Sequence, residues 1–176
     1  MSNLHSSKIV DIPQPPEDYR PQHPTLHLEP AEGPVGDLIK LATWIENKTS
    51  DRGDKAAHLL IEYDAERTKK KELEKERENI EVEPDTKNWL GYSYKNKKLK
   101  KNQKELDKIK KNLNKIASKI REVYRIVQRN KKIYDKNTDD DKPYEVFYED
   151  LEKELGEEGL DSDKIEELVL LFKELR

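Results

Sequence analysis

The sequence predicts an all-α protein: a long helical hairpin with an extended N-terminal arm and a C-terminal two-helix module. Only 32% of the 176 residues are hydrophobic and 41% are charged, so the apolar side chains must form narrow stripes instead of one large core. Over residues 96–136, apolar residues recur at the alternating three- and four-residue spacing of a heptad. Both observations are typical of helices that bury a seam against a neighbour.

Residues 1–34 are predicted to be the extended arm. They contain seven of the nine prolines, and proline removes the backbone donors that a helix or a central strand needs. We expect this arm to contact a partner. It also holds three of the four histidines, of which His23 and His27 have zinc-like spacing, but no further ligand is close to them in the sequence. No metal site is therefore predicted.

Residues 35–136 are predicted to form a short helix followed by the hairpin. The polar cluster at residues 47–53 is expected to end the short helix. A first long helix then covers residues 54–82 and ends before Pro84. The second long helix returns over residues 96–136. Between them lies an aromatic cluster at residues 89–94, which we expect to be the packed tip of the hairpin. Stacking of nucleic-acid bases on these rings is the alternative.

The second long helix carries an apolar seam at heptad positions a and d. An apolar stripe of this length is not tolerated in water, so we expect it to pack on the preceding helix, a second copy of the chain or another protein. The predicted seam residues are Leu106, Ile109, Leu113, Ile116, Ile120, Val123 and Val127.

The same helix is strongly basic. Residues 95–136 contain 17 Lys or Arg and only 4 Asp or Glu, a net charge of +13, whereas residues 137–176 have a net charge of -10. Such an array matches the phosphates of a nucleic acid or an acidic protein partner, unless it serves solubility alone. The heptad places most of these cations away from the seam, and we call this set the basic face: Lys97, Lys100, Lys101, Lys104, Lys108, Lys111, Lys115, Arg121, Arg125, Arg129 and Lys132.

Residues 137–176 are predicted to form an acidic two-helix module. Asp161 or Asp163 is expected to cap the final helix, whose apolar face is expected to anchor a partner through Ile165, Leu168, Leu171 and Phe172. The preceding segment, residues 135–141, opens like an EF-hand calcium loop. It lacks the required glycine at the sixth position and the glutamate at the twelfth, so we interpret it as a solvated acidic linker.

No feature of the sequence predicts an enzyme, a cofactor or a small-molecule substrate. Cysteine is absent, no glycine-rich phosphate loop occurs, and His58 is expected to be a half-exposed helix residue. Without a signal peptide or a long apolar run, we expect a soluble intracellular protein with no membrane contact. The predicted function is a non-enzymatic structural or assembly subunit that self-associates or binds a protein partner through the seam and the arm. The alternative is nucleic-acid binding by residues 95–136, regulated by the acidic C-terminal region.

Overall fold

The computed structural model describes residues 34–135 and 141–176, and these residues form four helices and no β-strand. Helix α1 covers Pro34–Glu81, α2 covers Tyr94–Asp135, α3 covers Lys142–Glu157 and α4 covers Ser162–Leu175. Helices account for 87% of the structure, which confirms the all-α class. Apart from Pro34, the predicted arm with His5, His23 and His27 lies outside the described residues, as does most of the acidic linker. In the described ranges, no helix is long and apolar enough to cross a membrane.

Helix α1 continues through residues 47–53, so the predicted interruption is wrong. The polar side chains there bond back to carbonyl groups one turn earlier in the same helix. Asn47 Nδ2 donates to the Thr43 carbonyl at 2.8 Å, and Thr49 Oγ1 donates to the Ile45 carbonyl at 2.8 Å. The polar groups that favour a turn in an isolated chain are thereby satisfied inside a helix.

Packing divides the chain into two units. In the described part of the chain, unit 1 contains residues 34–57, 123–135 and 141–165, and unit 2 contains residues 58–122 and 166–176. Helices α1, α2 and α4 each contribute one part to each unit. The buried apolar residues are distributed over both units, so each has a core of its own.

In unit 1, residues 47–53 meet α2 and α3. Asn130 Nδ2 of α2 donates to Thr49 Oγ1 at 3.1 Å, and Thr49 is fully buried. Gly53 lies against α3, where a Cβ atom would be 2.8 Å from the Phe147 carbonyl oxygen and 3.0 Å from Asp150 Oδ2. Glycine at this position therefore permits the close approach of α3. The apolar core beside it consists of Leu41, Ile45, Ala56, Ala57, Val123, Val127, Phe147, Leu151 and Leu155.

In unit 2, the second half of α1 and the first part of α2 form an antiparallel pair, onto which the end of α4 packs. Asn102 Nδ2 of α2 donates to the Leu73 carbonyl of α1 at 2.9 Å. Helix α4 is attached by an ion pair between Arg67 and Glu167 at 2.9 Å. It is also attached by a 3.0 Å hydrogen bond from Arg121 Nε to the Leu175 carbonyl. The start of α4 belongs to unit 1, where Asp161 caps the helix as predicted, since its Oδ1 accepts a hydrogen bond from the Lys164 amide at 2.8 Å.

The predicted seam is buried within the single chain. All seven seam residues are at most 8% exposed, five of them in unit 2 and two in unit 1. On α4, Leu168, Leu171 and Phe172 are also buried, and Ile165 is half-buried. The preceding helix was one of the three covers expected for the seam, and the chain itself provides the cover. The α4 face was expected to anchor a partner, and the structure corrects this expectation because the chain already buries Leu168, Leu171 and Phe172.

Candidate nucleic-acid interface

The basic face is exposed at every one of its positions. Eight of its eleven residues, from Lys97 to Arg121, belong to unit 2, and Arg125, Arg129 and Lys132 belong to unit 1. Helical geometry explains the exposure, since heptad positions b, c and f fall within an arc of roughly 100° that points away from positions a and d. The buried seam thus fixes the outward direction of the cations.

The charges of the basic face are not neutralised locally. None of the eleven side chains forms an ion pair with a carboxylate in residues 34–135 or 141–176. Other lysines of α2 differ in this respect. Lys98 pairs with Glu83 at 3.0 Å in unit 2. In unit 1, Lys131 contacts Asp135 and Asp141, and its hydrogen bond to Asp135 raises its pKa above the usual value. The basic face must therefore be neutralised by solution ions or by a bound polyanion.

The two helices paired in unit 2 differ strongly in charge. Residues 94–122 of α2 carry 12 basic and 3 acidic side chains, a net charge of +9, whereas residues 58–81 of α1 carry 6 and 8, a net charge of -2. From Lys97 to Arg121 the helix rises on the order of 36 Å, so the eight basic-face cations are spaced by roughly 5 Å on average. Along one strand of DNA, the phosphates are spaced by roughly 3.4 Å of axis. One side of unit 2 therefore carries a linear array of cations whose mean spacing is about one and a half times that of these phosphates.

The connection from α1 to α2 contains a structured loop, residues 86–94, whose last residue is also the first residue of α2. Its ends are held by a hydrogen bond from the Tyr94 amide to the Thr86 carbonyl at 3.1 Å, and the Asn88 amide donates to the Tyr92 carbonyl at 3.0 Å. Asn88 Oδ1 in turn accepts hydrogen bonds from the Leu90 and Tyr92 amides, both at 3.0 Å. Gly91 has a φ of +83°, in the left-handed region that favours glycine. We call residues 86–94 the aromatic loop.

The apolar side chains of the aromatic loop point into solvent. Trp89 is 90% exposed, Tyr92 68%, Leu90 59% and Tyr94 52%. The prediction of a packed hairpin tip is therefore wrong. The loop satisfies its backbone through Asn88 and through the turn at Gly91, so it does not need its aromatic rings as a core. Sequence reasoning missed Asn88, although an asparagine three residues before a glycine is a turn signal.

The remaining residues singled out in the sequence differ in their environments. His58 is exposed, where half-exposure was expected. Of the EF-hand-like segment, only Asp135 and Asp141 are described, and both contact Lys131. The α4 face is part of the buried interior. Four of the eight large hydrophobic residues that are exposed in the described ranges belong to the aromatic loop, and the basic face carries the long run of exposed cations.

In comparisons with known proteins, no family model, no curated protein and no solved structure matches the chain.

Proposed function

We propose that this protein is a non-enzymatic nucleic-acid-binding protein and that the basic face of α2 in unit 2 is its binding surface. The observation that carries the proposal is that the eight basic-face residues of unit 2 are all exposed and that none of them forms an ion pair with a described carboxylate. A linear array of unpaired cations holds condensed solution anions, and a nucleic acid that replaces them releases its own counterions. Binding would thus gain free energy chiefly from ion release.

The proposal of a structural or assembly subunit is the weaker of the two. It relied on the seam and on the α4 face as contact surfaces, and both are buried in the single chain. The arm lies outside the described residues. An acidic protein partner would use the same basic face, so the test must distinguish it from a nucleic acid by direct binding.

The proposed regulatory role of the acidic C-terminal region depends on the negative charge of its carboxylates. In unit 2, Glu166 and Glu174 of α4 are exposed, while Glu167 is engaged by Arg67. Leu168, Leu171 and Phe172 of the same helix are buried, so removal of α4 would disrupt the core as well as the charge. Competition with phosphate would act through the exposed carboxylates and would weaken with salt.

The test uses two charge-matched triple variants of the full chain. Lys104, Lys108 and Lys111 lie on the basic face, and their replacement with glutamine should remove about two to three units from the slope of log Kd against log salt. The control replaces Lys69, Lys71 and Lys75, which are exposed on α1 in the same unit. It changes the net charge equally and should leave that slope nearly unchanged.

Fluorescence anisotropy with labelled DNA and RNA at 50 to 200 mM salt would measure both effects. Circular dichroism would establish that both variants keep the helical content of the wild type. Equal losses in the two variants would indicate a nonspecific effect of net charge, and this result would contradict an interface on α2. The absence of binding to either nucleic acid at the lowest salt concentration would overturn the proposed function itself.

A further inference from the structure

We infer that the aromatic loop makes unit 2 selective for single-stranded nucleic acid over duplex, because Trp89 and Tyr92 would stack on unpaired bases beside the first cations of the basic face. This inference rests on the proposed function and names the substrate class of that surface.

The loop offers flat π surfaces that nothing in the described chain covers. Trp89 is 90% exposed, so both faces of its indole are accessible, and Tyr92 is 68% exposed. The loop backbone is held by the hydrogen bonds of Asn88 and by the Tyr94 to Thr86 bond. A ring displayed from an ordered loop loses little conformational entropy on binding, which favours stacking.

The charges around the loop favour a polyanion. Three carboxylates lie close in sequence, but each already has a partner in unit 2. Glu81 is paired with Arg77 at 3.3 Å, and Glu83 is paired with Lys98 at 3.0 Å. Asp85 accepts a hydrogen bond from the Ser93 hydroxyl group. By contrast, no described carboxylate pairs with Lys87 or Lys97, and both lysines are exposed. Phosphates next to a stacked base would meet these two cations.

A single strand fits these groups better than a duplex does. In a duplex, each base is covered by its neighbours above and below, so Trp89 and Tyr92 would have no base face to contact. In a single strand, every base has an accessible face, and stacking on aromatic side chains tolerates any sequence. The basic face supplies the second half of such a site, a row of exposed cations for the backbone.

An anionic membrane surface would also attract exposed tryptophan, tyrosine and lysine side chains. A helix that lies on a membrane inserts its apolar face into the lipid. The apolar face of α2 in unit 2, from Leu106 to Ile120, is instead buried in the protein. The observations therefore favour the nucleic acid, and the membrane becomes an outcome of the test.

The test uses a double variant that carries both Trp89→Ala and Tyr92→Ala. The matched control is Leu90→Ala. Leu90 is a loop residue of similar exposure that has no aromatic ring. We expect the double variant to lose roughly tenfold or more in affinity for a 20-nucleotide single strand. Its affinity for the corresponding duplex should stay within about twofold, because that binding depends on the cations. Leu90→Ala should behave like the wild type. The single variant Trp89→Phe keeps an aromatic ring at this position, so it should retain most of the single-strand affinity.

Three results would overturn the inference while leaving the proposed function intact. The first is salt-dependent binding of single strands that the double variant retains in full. The second is an equal loss for single strand and duplex. The third is that the double variant loses binding only to vesicles containing phosphatidylserine, which would indicate a membrane contact. If the wild type binds no nucleic acid at 50 mM salt, the proposed function fails together with this inference.

Discussion

Residues 47–53 in unit 1 and residues 86–94 in unit 2 have similar compositions but adopt different structures. Both contain asparagine, lysine, threonine, serine and glycine, and both follow a helical segment. In the first, Asn47 and Thr49 bond backward to carbonyls of their own helix, and Gly53 is helical. In the second, Asn88 accepts hydrogen bonds from amides that follow it, and Gly91 has a positive φ. The direction of side-chain bonding distinguishes a helix interior from a turn.

The neighbours of each segment explain the choice. Pro84 precedes the second segment and disfavours a further turn of helix before it. The first segment has no proline, and it is covered by α2 and α3 in unit 1. Burial there favours a helical backbone, because every buried amide and carbonyl group needs a hydrogen-bond partner and a helix provides one. Each of the following predictions breaks one of the two segments.

The largest effect is expected at Gly53. An alanine in an exposed helix interior normally stabilises the helix by about 1 kcal/mol relative to glycine. At Gly53 the added methyl group would be 2.8 Å from the Phe147 carbonyl oxygen, so Gly53→Ala should instead lower the free energy of unfolding by about 2 kcal/mol. Gly156→Ala is the control, since its Cβ would meet only the Ile165 side chain at 3.8 Å. Urea unfolding followed by circular dichroism measures both, and equal stability of the two variants would contradict the close approach of α3.

The next effect is expected at Thr49, where the hydroxyl group donates to the Ile45 carbonyl and accepts from Asn130. Thr49→Val keeps the size of the side chain but leaves the half-buried Asn130 donor without this acceptor. It should cost about 1 to 2 kcal/mol of stability. Thr49→Ser keeps the hydroxyl group and loses one methyl group, so it should cost less. If serine destabilises unit 1 more than valine does, packing instead of hydrogen bonding holds this segment in the helix.

The smallest effect is expected at Gly91 in the aromatic loop. Its φ of +83° is unfavourable for a side chain by about 1 kcal/mol, although a Cβ there would meet no atom within 4 Å. Gly91→Ala should therefore lower stability by about that amount, and Gly91→Asn by less, because asparagine tolerates the left-handed region. Hydrogen exchange of the Leu90 and Tyr92 amides would report the local loss. Unchanged protection in Gly91→Ala would show that the turn does not need this conformation.

The long helices could be predicted from apolar spacing, because the spacing depends only on neighbouring residues. Residues 96–136 were predicted as a helix and α2 covers Tyr94–Asp135, while Pro84 correctly placed the end of α1. The outward direction of Lys97 to Arg121 also follows from the heptad and could be predicted. What the sequence did not contain was the environment of residues 47–53, which depends on Phe147 and Asp150 about a hundred residues later.

Two features of the candidate site also depend on long-range packing. The heptad shows that a seam needs a cover, but it does not say whether the cover is the same chain or another one. Similarly, an aromatic cluster beside a turn is usually expected to be buried, and only the hydrogen bonds of Asn88 explain why Trp89 remains outside. The sequence also did not show that the basic face lacks ion pairs. Nearby carboxylates such as Glu81 and Glu83 pair with other residues, Arg77 and Lys98, and no local pattern determines these pairings.

Asn102 has a consequence for how the two long helices of unit 2 are aligned. Its side chain is 3% exposed and reaches the Leu73 carbonyl, while its Oδ1 accepts no hydrogen bond from a described residue. Apolar residues repeat every seven positions, so the stripe alone would tolerate a slip of α2 by about 10 Å along α1. A slip by one heptad would bring the Asn102 amide to another backbone carbonyl of α1, because every residue of a helix carries one. Asn102 therefore selects one sliding position only together with side-chain pairs that a slip would separate, namely Arg77 with Gln103 and Lys98 with Glu83.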